Sequence, residues 1–248
     1  MLYPFILTTL AGMATMIGTI PIFVKIKNPD RLIAAACAFA SGVMISVSVF
    51  DLIPEAINYF RGMYKGIIII LITFIFIILG MYTSLVMDKL VNKVSYGNNL
   101  FKVGILSMIV IILHNIPEGI VTYIVSNKNI MLGVSICIAI ALHNIPEGIS
   151  IAIPLYYSTG SKLRAVLYTL VSALSELLGA IITYLFLGRY INEFELGILF
   201  SFIAGIMIQI SYSRLLPTSK NYDNKFSRLF FMIGFIFMLF SLFLNSIL

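Results

Sequence analysis

"GIIIILITFIFIILGMYTSLVM", residues 66–87, carries no charged side chain anywhere along its length. A helix crosses a hydrocarbon core of ~30 Å with about 20 apolar residues, so this stretch is long enough to span a bilayer. "LFFMIGFIFMLFSLFLNSIL" (229–248) reads the same way. Working outward from these two, apolar runs recur at about 4–24, 32–57, 66–87, 103–125, 131–156, 164–187, 195–215 and 229–247. The polar connections between them, such as "KNPDR", "SNKN" and "STGSK", are too short to fold separately. Composition agrees: 60% of the 248 residues are hydrophobic and 10% charged, against roughly 25% charged in soluble domains. The expected fold is all-α, a polytopic membrane protein in which residues 1–248 form a single transmembrane domain of eight helices.

Several classes fall away at once. The net charge of +6 comes from basic residues scattered singly between apolar runs, so no nucleic-acid partner is expected. Cys37 and Cys137 both sit inside apolar runs, which argues for packing and against a disulfide framework or a thiolate metal cluster. The first run has no basic residue before it and no small-residue cleavage site behind it, so it reads as a permanent helix and not a signal peptide.

Orientation follows from the basic residues. With the N-terminus outside, Lys25, Lys27, Arg31, Lys89, Lys93, Lys102, Lys162, Arg164, Arg214, Lys220, Lys225 and Arg228 lie inside, against Arg61, Lys65, Lys128 and Arg189 outside. The positive-inside bias therefore places both termini outside.

The carboxylates are distributed differently. Asp51, Glu55, Glu118, Glu147 and Glu176 fall within spans or at their outer ends. A charge at the bilayer centre costs from ~2.5 to well over 10 kcal/mol, and such residues face a cavity or an ion path. No lysine or arginine lies deep enough in a span to neutralise them, so the missing partner is a cation.

"HNIPEG" occurs at His114–Gly119 and again at His143–Gly148, and the two copies hold both histidines of the chain. On a helix, residues four apart share a face, so His114 pairs with Glu118 and His143 with Glu147. Asn115 and Asn144 lie on the adjoining edge. Imidazole with carboxylate suits transition metals, whereas magnesium or calcium sites are built from oxygen alone. Pro117 and Pro146 should kink their helices and free the carbonyls of Leu113 and Leu142. Helical rise from the intervening turn puts both motifs near one depth at the midplane. Glu176, in "SALSELLGA" (172–180), offers a third carboxylate from the next span. An intramembrane metalloenzyme is the competing class, but the spacing is HxxxE twice and never HExxH, so no enzymatic activity and no catalytic cofactor are expected.

The paired hexapeptides resemble those of the ZIP family of divalent metal transporters, in particular its bacterial branch. "FASGVMISVSVFDLIPEA" (39–56), "SALSELLGA" (172–180) and "IAGIMIQISYSRLLP" (203–217) extend the resemblance over nearly the whole chain in the right order. It implies eight helices, both termini outside, metal movement toward the cytoplasm and one or two metals bound per protomer as substrate. By position, His114, Glu118, His143 and Glu147 resemble the ligands of a first metal position. Asn115, Asn144 and Glu176 resemble those of a second, with Glu118 and Glu147 shared as bridges. A homodimer in a prokaryotic plasma membrane is also implied.

Departures from the family pattern are specific. "DKLVNKVSYGNNL" (88–100) lacks the histidines that many relatives carry between the third and fourth spans. Ser213 and Arg214 stand where many relatives have an acidic residue beside a histidine, and Arg214 reads as an anchor to the inner headgroups. Leu177 follows Glu176 where relatives show proline.

Zn²⁺, Fe²⁺, Mn²⁺, Co²⁺ and Cd²⁺ all suit this donor set. Asp51 and Glu55 would attract the hydrated ion. Its water would then be exchanged for imidazole, amide and carboxylate, with protons displaced, so transport weakens in acid. The orientation is open to a direct check: in a background without native cysteines, Lys128→Cys should react with a membrane-impermeant thiol reagent only from outside and Lys162→Cys only from inside. Labelling of both from one face would overturn it.

Overall fold

The computed structural model describes residues 2–94, 98–187 and 192–247, and among these every regular element is helical. Arg189, one of the basic residues assigned to the outer face, lies outside the described residues. Eight helical segments are long and apolar enough to cross a membrane: Leu2–Phe23, Pro29–Arg61, Ile67–Lys93, Asn99–Lys128, Ile130–Thr159, Lys162–Phe186, Glu193–Tyr222 and Asn224–Leu244. They are called the first to eighth spans below.

Local chemistry starts these helices. Asn28, Asn98, Asn129, Ser161 and Asn192 each accept a backbone N–H of the first turn, and Asn192 forms a reciprocal box with Glu195. A single residue, Asn129, separates the fourth and fifth helices, so the two run antiparallel as neighbours. Both continue as α-helix through Pro117 and Pro146 without interruption.

Elsewhere prolines do change the winding. "SVFDLIP" (48–54) and "SYSRLLP" (211–217) each place a π-helical turn, Ser48–Leu52 and Ser211–Leu215, just before the proline. Proline clashes with the carbonyl four residues back and gives it no N–H, and a widened turn relieves both faults. The two stretches share the leading serine, the leucine after the central residue and the closing proline, and Asp51 in the second span corresponds to Arg214 in the seventh.

The spans fall into two sets, marked out by where backbones approach closely. A Cβ on Gly119 would strike the Glu176 carbonyl, and one on Gly179 that of Ile116, so the fourth and sixth spans touch backbone to backbone. Gly148 meets Thr15 in the same way and joins the fifth span to the first. Gly42 against Phe231 joins the second to the eighth, and Gly80 against Phe202 joins the third to the seventh. Among the described residues, every glycine crowded by another helix meets a helix of its own set, either first, fourth, fifth and sixth or second, third, seventh and eighth. The boundary between the sets is instead lined by side chains of mixed size and by cavities.

The first span adapts to this packing. After Met13 it tightens into a 3₁₀ helix over Ala14–Phe23, whose small residues Ala14, Thr15, Gly18 and Thr19 are buried against the fifth span. The third and eighth spans, by contrast, expose most of their apolar side chains to lipid, as Ile70, Phe74, Ile78, Phe240 and Phe243 do.

The crossings are testable by crowding one of them. Gly119→Val should destabilise the protein by about 1–3 kcal/mol or more, because the obstructing atoms are backbone and cannot swing away. Its thermal midpoint in detergent should fall well below that of Leu85→Val, an exposed control; equal midpoints would mean the crossing has slack.

Candidate metal centre

Two facing helices bring the hexapeptides together. The Nε2 of His114 lies 3.1 Å from the Glu118 Oε1 and 3.5 Å from the Glu147 Oε1. From the fifth span, the Nε2 of His143 lies 3.0 Å from the same Glu118 oxygen. One potential ligand atom from each of His114, Glu118 and His143 falls within 4.8 Å of the other two. The arrangement is not symmetric: Glu118 contacts both imidazoles, whereas Glu147 approaches only that of His114.

Asn115, Asn144 and Glu176 form an adjoining layer. Asn115 donates its Nδ2 to the Ser172 carbonyl at 3.2 Å. Asn144 donates to the Ala11 carbonyl at 3.0 Å and to the Glu176 Oε2 at 2.9 Å. These bonds use both amide N–H groups of Asn144 and one of Asn115, and both Oδ1 atoms are buried without hydrogen-bond partners. The Glu176 Oε1, the Glu118 Oε2 and both Glu147 oxygens are likewise buried and accept no hydrogen bond.

All seven side chains are within a few per cent of complete burial. Among the described residues no lysine or arginine pairs with any of them; the arginine ion pairs are Arg31 with Asp223 and Arg214 with Asp88. Buried polar atoms are normally satisfied, and unpaired acceptors at this density are costly. Carboxylate and amide oxygens accept only, and a neutral imidazole presents one lone pair. The cluster can therefore be satisfied by a cation, and its mixed nitrogen and oxygen donors match a transition metal.

A cavity of about 230 Å³ leads to this cluster. Asp51, Glu55 and Tyr59 of the second span line it together with Glu118 and His143. Asp51 reaches the wall from within the π turn at Ser48–Leu52. The proposed approach residues and the hexapeptides thus share one continuous space.

Some contributors escape a reading of the sequence. The Ala11 carbonyl orients Asn144 from the first span, whose only advance signal is the run of small residues in "AGMATMIGT" (11–19). Phe200, Met238 and Leu242 form the apolar wall of the cavity, and nothing local distinguishes them from ordinary packing residues. Arg214, expected among headgroups, instead donates to the Asp88 carboxylate at 2.7 Å.

Comparison with known proteins agrees with this architecture. Residues 97–242 match the family described as "ZIP Zinc transporter". The "Zinc transporter ZupT" of Enterobacter sp. (strain 638) is 36% identical, with 89% of this chain and 88% of that protein aligned. That of Campylobacter jejuni is 35% identical over 92% and 91%, and that of Clostridium perfringens 36% identical over 89% and 88%. This chain belongs to the ZIP family.

Proposed function

We infer that this protein transports divalent transition-metal cations, zinc foremost, across a bacterial plasma membrane and into the cytoplasm. The observation that carries the reading is the buried cluster of acceptors with no protein cation to neutralise it. Zinc is named first because the relatives above are called zinc transporters. Fe²⁺, Mn²⁺, Co²⁺ and Cd²⁺ fit the same donors.

In this proposal His114, Glu118, His143 and Glu147 hold a first ion. Asn115, Asn144 and Glu176 complete a second position beside it, so one or two ions bind per protomer. Glu118 is the central ligand, since it alone reaches both imidazoles. Asp51 and Glu55 raise the local concentration of cation in the cavity and exchange the first of its waters. The transporter is of secondary type, with both termini outside and the whole chain acting as one unit, and it assembles as a homodimer.

Movement follows from the packing of the spans. The metal-bearing first, fourth, fifth and sixth spans are locked together at glycine crossings, and so are the other four. Displacing one set against the other carries the cluster as a rigid body and changes which cavity it meets.

Glu118→Ala combined with Glu147→Ala should abolish Zn²⁺ uptake into proteoliposomes while Lys128→Ala proceeds at the wild-type rate. Removing both carboxylates leaves only two imidazoles at the first position and takes both bridging ligands from the second, so neither position keeps the four donors such an ion needs. Undiminished uptake by the double variant would refute the assignment.

A further inference from the structure

A second cavity, of about 370 Å³, lies at the opposite end of the bundle. Its wall combines Asn99, Leu100 and Val103 of the fourth span with Ser213, Arg214, Asn221 and other residues of the seventh. The two ends are distinguished by the second span: its C-terminal end approaches Glu193 at the start of the seventh span, while Ala34 near its beginning accepts a hydrogen bond from Ser219 near the seventh span's end. In the proposed orientation this second cavity faces the cytoplasm.

It lies in line with the metal centre. Val103 and His114 are 11 residues apart, so they share a face of the fourth helix within about 20° and are separated by about 16 Å. Ser107 lies between them on that face, fully buried, and its hydroxyl has no hydrogen-bond partner. A cation leaving His114 along this face arrives at a cavity whose one charged wall residue is positive. The remaining polar groups there are neutral amides and hydroxyls, which bind transition metals weakly and favour release.

Arg214 does not stand alone. Its guanidinium contacts both carboxylate oxygens of Asp88, which comes from the third span, and both side chains are about four-fifths buried. The third and seventh spans are themselves fixed to one another at Gly80 and Gly205. The pair therefore belongs to one set of helices and is not broken when the sets move.

We propose that Asp88 is a positioning residue for metal release: it holds and neutralises Arg214, so that the inner cavity accepts an emerging divalent cation. This rests on the transport reading and on the orientation given with it. Without Asp88 an uncompensated positive charge faces the route, and repulsion between like charges in a partly buried site is strong enough to reduce flux about tenfold. The effect belongs to Arg214 and disappears when Arg214 is neutral.

Zn²⁺ uptake into proteoliposomes at low salt, compared among wild type, Asp88→Asn, Arg214→Gln and the double variant, tests this. Asp88→Asn should be about tenfold slower at low salt and recover in part as ionic strength rises. Arg214→Gln should match or exceed wild type, and the double variant should return to within about twofold of it. A double variant as slow as Asp88→Asn, or an Arg214→Gln variant equally slow, would overturn the proposal and make the pair merely structural. Thermal midpoints of all four proteins separate lost folding from lost flux: restored uptake in the double variant supports the proposal even where Asp88→Asn alone is unstable. Failure of the transport reading is distinct, since wild type itself would then carry no zinc above empty vesicles.

Discussion

The fold is organised around a group of side chains that lack positive partners. His114, Glu118, His143 and Glu147 meet at distances of 3.0–3.5 Å, and among the described residues no lysine or arginine pairs with them. Isolated carboxylates in such surroundings cost several kcal/mol each, which a membrane helix cannot offset by packing lipid tails. The protein must hold the cluster together mechanically until a cation stabilises it. Backbone contact at Gly119, Gly148 and Gly179 supplies that hold, because van der Waals contact between helices is the main cohesive force available in lipid. The asparagines add direction: Asn115 donates to Ser172 and Asn144 to Ala11 and Glu176, which fixes both amides with their Oδ1 atoms free to accept.

Much of this was legible in the amino-acid sequence because it depends on short-range periodicity. Eight spans follow from apolar length, and the pairing of His114 with Glu118 follows from the four-residue repeat of a helix. Meeting of the two hexapeptides follows from the short polar turn "SNKN" between their spans. What could not be read depends on which helices become neighbours. Asp88 and Arg214 are separated by 126 positions, and nothing near either residue announces the other. The unequal roles of Glu118 and Glu147 are equally hidden, since identical hexapeptides become inequivalent only through the rotation of their helices. The 3₁₀ winding of Ala14–Phe23 is also a response to a neighbour: small residues permit a tight coil, but the fifth span selects it.

The division into two sets of helices links cohesion to movement. Glycine crossings that hold a metal site rigid would also immobilise a transporter if they joined every helix to every other. Here they stop at the boundary, where side chains such as Leu52, Phe39 and Val103 and the intervening cavities make the contact. Interdigitated side chains can exchange partners at modest cost, while interlocked backbones cannot. The same residue type, used selectively, thus defines what moves and what moves past it.

The two widened turns at Ser48–Leu52 and Ser211–Leu215 occupy matching places on helices that run in opposite directions. Asp51 lies on one and Arg214 on the other. A conduit with the same residue at both turns would present equal potentials to ions arriving from either side. Side chains of opposite sign at the two turns make the passage electrically one-sided. Asp88 then sets how steep that gradient is, so that the polarity of the whole conduit is tuned by a residue that touches neither the ion nor its ligands.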